Sequence, residues 1–169
     1  MARTATGSRK VSRLVRRGAL TALLATVSAL PVAGIAAAPA SAATRMTGAR
    51  SAAIANSAAH VAGAQKGKRY VYGGAGPSVF DCSGLVQYAY KRAGIRIPRT
   101  ADQQYRASKH IPLRSLRVGD VVFFHDSRGY VYHDAIYAGF GAVWNAPHTG
   151  AVVRLQRVWT NSIYFGRFV

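Results

Sequence analysis

The chain holds one cysteine, Cys82, in the run Phe80-Asp81-Cys82-Ser83-Gly84-Leu85-Val86. Asp81 or Ser83 suits the cap of a helix that opens at this point. A thiol at a helix N-terminus faces exposed backbone N–H groups and the positive end of the helix dipole. That position is expected to lower its pKa below the free value of about 8.5 and to favour the nucleophilic thiolate. An imidazole alongside would stabilise the ion pair and later protonate a leaving amine. The chemistry implied is attack on an acyl carbon. The plain alternative is a buried, inert thiol.

Five histidines are present: His60, His110, His125, His133 and His148. The run from Tyr132 to Asn145 reads as a hairpin turning at Gly139-Phe140-Gly141. With Gly139 at its centre, His133 and Asn145 face one another, with Cβ atoms about 4.5–5.5 Å apart. The Asn145 oxygen would accept the imidazole N–H and hold the ring, the third role in a Cys–His–orienter set. A slip of one residue would turn Asn145 to the other face. Asp134 points away from His133 on this register, so it is expected to be solvated or paired with an arginine. Tyr70, ahead of a Gly-rich stretch, carries a hydroxyl suited to an oxyanion. His148 is an alternative orienter or a substrate contact. His60, His110 and His125 read as structural or surface residues.

These residues need a scaffold. Ser51 to Lys66 reads as a helix with a small-residue packing face. Tyr72 to Pro77 reads as a Gly-rich loop, and a second helix runs to about Ala93 with Gly94 as its stop. Thr100 caps a short third helix through Ala107. Strands follow at Val121–Phe124, Val131–Ala138, Ala142–Asn145, Ala151–Leu155 and Ser162–Val169. Helices first and antiparallel strands later make an α+β order without βαβ alternation.

The head of the chain carries Arg3, Arg9, Lys10, Arg13, Arg16 and Arg17, then an apolar stretch from Gly18 to Ile35, then Ala40-Ser41-Ala42. This pattern reads as a secretory signal peptide over residues 1–43, cut after Ala42 or Ala43. The stretch is too short and too broken by Pro31 for a membrane span of about 20 residues. Residues 44–169 then form one domain, with 17 basic side chains against five aspartates, a net charge of +12. Such a surface suits polyanions. No nucleic-acid reading module is recognisable, so the anionic polymers of a bacterial envelope are the simpler partner. A lone cysteine excludes an intrachain disulfide and a multi-cysteine metal site.

Taken together, these runs resemble the NlpC-type cell-wall peptidases, papain-like endopeptidases of bacterial peptidoglycan. The resemblance is carried by Gly67-Lys68-Arg69-Tyr70-Val71-Tyr72-Gly73-Gly74, the Cys82 block, Pro98-Arg99-Thr100-Ala101, Val118 to Phe124, and His133 to Gly139. It implies a papain-like α+β fold with N-terminal helices packed on a C-terminal antiparallel sheet of five or six strands. It implies Cys82 as nucleophile, His133 as base and Asn145 as third residue. Tyr70 would assist the oxyanion, and Asp81 and Ser83 would shape the substrate pocket. The substrate would be the peptidoglycan stem peptide, cut between D-glutamate and the diamino acid by a monomer with no metal or organic cofactor. Asp134 departs from the pattern, which usually has an apolar residue there, and Asn145 stands where histidine is common. The alternatives are a CHAP-type amidase, a transpeptidase with the same chemistry, and a wall-binding protein without catalysis.

Overall fold

The computed structural model describes residues 40–169, with side chains from Thr47 onward. Residues 1–39, which hold most of the expected signal segment, lie outside the described residues. Helix α1 spans Ala40–Gly63, starting and ending earlier than the expected Ser51–Lys66, so the expected cut after Ala42 or Ala43 falls in its first turn. Its small side chains Ala58 and Ala62 are fully buried. Such residues let a neighbouring backbone come close, and α1 packs on α2, Cys82–Arg92.

Helix α2 forms where the sequence places it. Asp81 is its N-cap, with its carboxylate accepting from the Gly84 N–H, and Gly94 follows its end at φ +95. Leu85, Val86, Ala89 and Tyr90 form its buried face. A fully buried side chain of this size contributes about 1.5–3 kcal/mol of transfer free energy. Helix α3, Ala101–Ala107, opens on a capping box in which Thr100 and Gln103 bond reciprocally.

The strands are β1 Lys109–His110, β2 Val121–His125, β3 Val131–Gly139, β4 Ala142–Asn145, β5 Arg154–Arg157 and β6 Ile163–Arg167. They form one antiparallel sheet in the order β1-β6-β2-β3-β4-β5. The fold is therefore α+β, with N-terminal helices packed on a six-stranded antiparallel sheet. The two-residue β1 was not expected, and β5 begins later than the expected Ala151. One sheet face, with Val121, Phe123 and Ile136, joins the helices in the main core. The other, with Val122, Phe124, Ala135 and Val143, packs with Val158, Ile163 and Phe165. Strand β3 is thus buried on both sides. Arg167 on β6 grips Asp120, just ahead of β2, through two contacts of 2.7 Å.

The β3–β4 hairpin corrects the expected register. Phe140 and Gly141, both at positive φ (51 and 71), form the turn. Ile136 pairs with Trp144 and Tyr137 with Val143, with a bulge before Gly139↔Ala142. The strands are offset by two residues from the Gly139-centred register. A shift of two keeps every side chain on its face. His133 and Asn145 therefore still share a face, as diagonal rather than opposite neighbours.

Candidate active site

Cys82 is the first residue of α2 and lies in a cleft of about 420 Å³. The walls include Tyr70, Tyr72, Arg99, Tyr130 and Tyr132. The Gly-rich loop forms one side and is drawn tightly onto the helix. A Cβ on Gly84 would lie 2.0 Å from the Gly74 carbonyl oxygen, so only glycine fits there. Asp81 fixes this junction. Its carboxylate accepts from Gly84 N at 2.7 Å and Gly73 N at 2.8 Å, and forms a two-pronged pair with Arg99. Arg99 Nη1 also donates to Ser83 Oγ at 3.0 Å. Asp81 and Ser83 thus both border the cleft, as expected, but their polar atoms are already engaged. Arg99, which ties them together, was visible in the sequence only as part of the Pro98–Ala101 block.

Strand β3 supplies the other wall. His125 pairs with Val131 and Phe124 with His133, leaving Tyr132 as an extra residue bulged next to His133. The His133 Nε2–H donates to Asn145 Oδ1 at 2.8 Å. Asn145 Nδ2 in turn donates to Gln156 Oε1 at 3.3 Å, and that oxygen also accepts from Arg154 Nε at 3.0 Å. Phe124 and Trp159 lie 5.3 Å and 5.8 Å from the His133 ring and stack on one another. This enclosure dominates the histidine. Burial lowers its pKa to about 4 against the Asn145 hydrogen bond and the Asp81 charge, which favour the proton.

The thiol departs from expectation. Burial, followed by the negative charge positions of Asp134 and Asp81, pushes Cys82 up to about 12. The Ser83 and Asp134 backbone N–H groups act in the opposite direction and are outweighed. The helix start therefore provides the expected N–H donors, but desolvation wins and the resting group is a neutral thiol. Asp134 is also corrected. It points away from His133, as expected, yet that face lies under the helices rather than in solvent. It is fully buried with no arginine pair, and neither carboxyl oxygen has a hydrogen-bond partner. Its carboxyl instead faces the Cys82 thiol. Burial raises its pKa well above the usual range, with a further push from Asp81.

The structure thus brings His133 to Asn145, and Cys82 to Asp134, while no hydrogen bond joins the thiol to the imidazole. Tyr70 stands in the cleft, and its phenol is pushed up first by burial and then by the Cys82 and Asp81 charges. His148 is exposed, and its ring bonds only the carbonyl of its neighbour Thr149. His110 stacks on Tyr105 and His125 on Tyr164. His60 lies on α1, beside a groove that it shares with Trp144.

Residues 67–166 match the NlpC/P60 family. The chain belongs to that family. A stretch of 92 residues is 44% identical to the probable endopeptidase p60 of Listeria monocytogenes, covering 53% of this chain and 19% of that protein. The murein DD-endopeptidase MepH of Escherichia coli is 44% identical over 54% of this chain and 35% of its own length. The gamma-D-glutamyl-L-lysine dipeptidyl-peptidase of Bacillus subtilis is 35% identical over 58% of this chain and 33% of its own. The chain thus spans about a fifth to a third of the length of these relatives. Among solved structures, RipD of Mycobacterium tuberculosis, described as a non-catalytic NlpC/p60 domain protein adapted to peptidoglycan binding, superposes with a TM-score of 0.61 at 28% identity. It covers 69% of this chain and 98% of that one. This NlpC/P60 domain therefore has relatives on both sides of the line between catalysis and binding. Among its described residues no helix is long and apolar enough to cross a membrane.

Proposed function

We propose that the protein is a secreted cysteine endopeptidase that cuts the bond between D-glutamate and the diamino acid in peptidoglycan stem peptides. One observation carries the reading. The only thiol of the chain opens α2 in a cleft whose adjoining strand holds a histidine bonded to an asparagine at 2.8 Å. His133 Nε2 is taken by Asn145, so Nδ1 is left with the lone pair a general base needs.

In this reading both groups rest neutral. As the Cys82 sulfur bonds to the γ-glutamyl carbonyl carbon, its proton passes to His133 Nδ1 and the carbonyl π pair moves onto oxygen. The Cys82 N–H and the Tyr70 hydroxyl receive that oxyanion. The C–N bond then breaks, the amine leaves with the His133 proton, and a thioester remains. Water attacks it with His133 again as base and releases the acid and the thiol. Asp81, Ser83 and Arg99 shape the pocket that recognises the stem. The basic surface of residues 44–169 suits anionic wall polymers. Residues 1–43 serve as the signal peptide.

Digestion of purified muropeptides by residues 44–169, with Cys82→Ala alongside, tests the reading. The expected products end in D-glutamate at the new C-terminus and vanish with Cys82→Ala. Peptide-free glycan would indicate an amidase instead, and cleavage between two D-residues a DD-endopeptidase. The second reading is wall binding without cleavage. It is favoured by the neutral Cys82 thiol and its lack of a hydrogen bond to His133. Retention on insoluble wall with no product from either protein would establish it.

A further inference from the structure

We infer that Arg154 and Gln156 are positioning residues that fix the tautomer of His133 through Asn145. The inference rests on the reading of His133 as base, and it concerns residues outside the cleft.

The argument is one of hydrogen-bond polarity. An asparagine side chain can present oxygen or NH₂ to a neighbour, and the two ends are nearly equal in shape. With oxygen toward His133, Nε2 carries the proton and Nδ1 is a base. With NH₂ toward His133, Nε2 must accept, the proton moves to Nδ1, and that nitrogen can no longer take one. Nothing in Asn145 itself decides between these states. A guanidinium does, because it only donates. Arg154 Nε points at Gln156 at 3.0 Å and so requires Oε1 there. That oxygen then faces Asn145 and requires its NH₂, at 3.3 Å. The Asn145 oxygen is left for His133 at 2.8 Å. Each link inherits its direction from the previous one, and the chain starts at a group that cannot reverse.

The sheet builds this arrangement. Asn145 stands opposite Arg154, and Val143 opposite Gln156. Asn145, Arg154 and Gln156 therefore share one face of β4 and β5, the face on which His133 lies. Both Arg154 and Gln156 are half-buried, which shields the bonds from competing water.

The test uses the full chain with ¹⁵N-histidine labels, read by the ring-nitrogen shifts of His133, beside steady-state kinetics on muropeptides. The parent protein should show the Nε2–H tautomer. Gln156→Leu removes the anchor and should populate Nδ1–H. It should lower kcat about two- to tenfold, the ratio set by one net hydrogen bond, in step with the Nδ1–H fraction and at unchanged KM. Gln156→Glu keeps an acceptor facing both partners and should restore Nε2–H. Arg154→Met should mimic Gln156→Leu more weakly. Unchanged Nε2–H in Gln156→Leu, or Gln156→Glu behaving like Gln156→Leu, overturns the inference. A tautomer shift with unchanged kcat upholds it and instead removes His133 from the role of base.

Discussion

The carboxyl of Asp134 lies buried against the thiol of Cys82 at the junction of α2 and β3, without a salt-bridge partner among the described residues, and the Arg99 charge offsets its burial only in part. Two acidic groups that close in low dielectric resist ionising together. Removing the carboxyl charge should therefore make the thiolate easier to form. In Asp134→Asn the pH profile of iodoacetamide alkylation at Cys82 should move to lower pH than in the parent. An unmoved profile would mean that Asp134 does not touch the electrostatics of the Cys82 thiol.

The same carboxyl should leave a mark on stability. Its pKa is raised on folding, so the native state keeps a proton that the unfolded chain loses above about 3.8. The native state binds more protons, and parent stability therefore falls as pH rises from there toward the native pKa. Asparagine has no such proton. The Tm advantage of Asp134→Asn over the parent should be smallest near pH 4 and grow toward pH 7. A difference that stays flat across this range would count against a buried, protonated Asp134.

His133 works in the opposite direction. Its pKa falls from 6.5 to about 4 on folding, so the unfolded chain binds more protons between those values and stability drops as pH falls through them. For a nine-tenths buried group this amounts to about 3 kcal/mol. If His133 is the base, kcat/KM should hold across neutral pH and decline only as pH approaches about 4. A decline centred near pH 6.5 would mean that the His133 imidazole is hydrated in solution.

Two of the arginine–aspartate pairs, Arg167–Asp120 and Arg99–Asp81, should separate stability from substrate binding. Asp120 is almost wholly buried and keeps only the Arg117 N–H at 2.7 Å, so Arg167→Met leaves its charge largely uncompensated and should cost about 3–5 kcal/mol with KM unchanged. Arg99→Met leaves Asp81 with its Gly73 and Gly84 N–H donors and should cost less, about 1–3 kcal/mol. It should raise KM, because Arg99 lines the cleft. Denaturant midpoints and muropeptide kinetics measure both, and equal effects on KM would refute the distinction.

Gly84→Ala should cost about 3 kcal/mol, since its Cβ meets backbone that cannot yield. Parent-like urea unfolding would show that the Gly-rich loop is looser than its contacts suggest.

Local signals in the sequence located these elements well. The Thr100 cap, the Asp81 cap and the limits of β4 follow from neighbours within a few residues. The hairpin centre did not follow, because Phe140 occupies a left-handed conformation that its residue type does not advertise. Alternation placed Asp134 opposite His133 but could not say which face the helices would cover. Nor could the helix start reveal that burial outweighs its N–H groups at Cys82, since desolvation depends on chains that arrive from afar. Arg154, Gln156 and Trp159 were missed for the same reason: their contacts with the site exist only once β4 and β5 have paired.

The offset of the β3–β4 hairpin also bears on how its length can change over evolutionary time. Adding or deleting residues in pairs carries Asn145 along β4 while leaving it on the side of His133. Adding or deleting one residue sends it through the sheet, unless a bulge absorbs the change. Alleles at this loop should therefore differ by even steps, and odd steps should survive only with a compensating bulge such as the one beside Gly139.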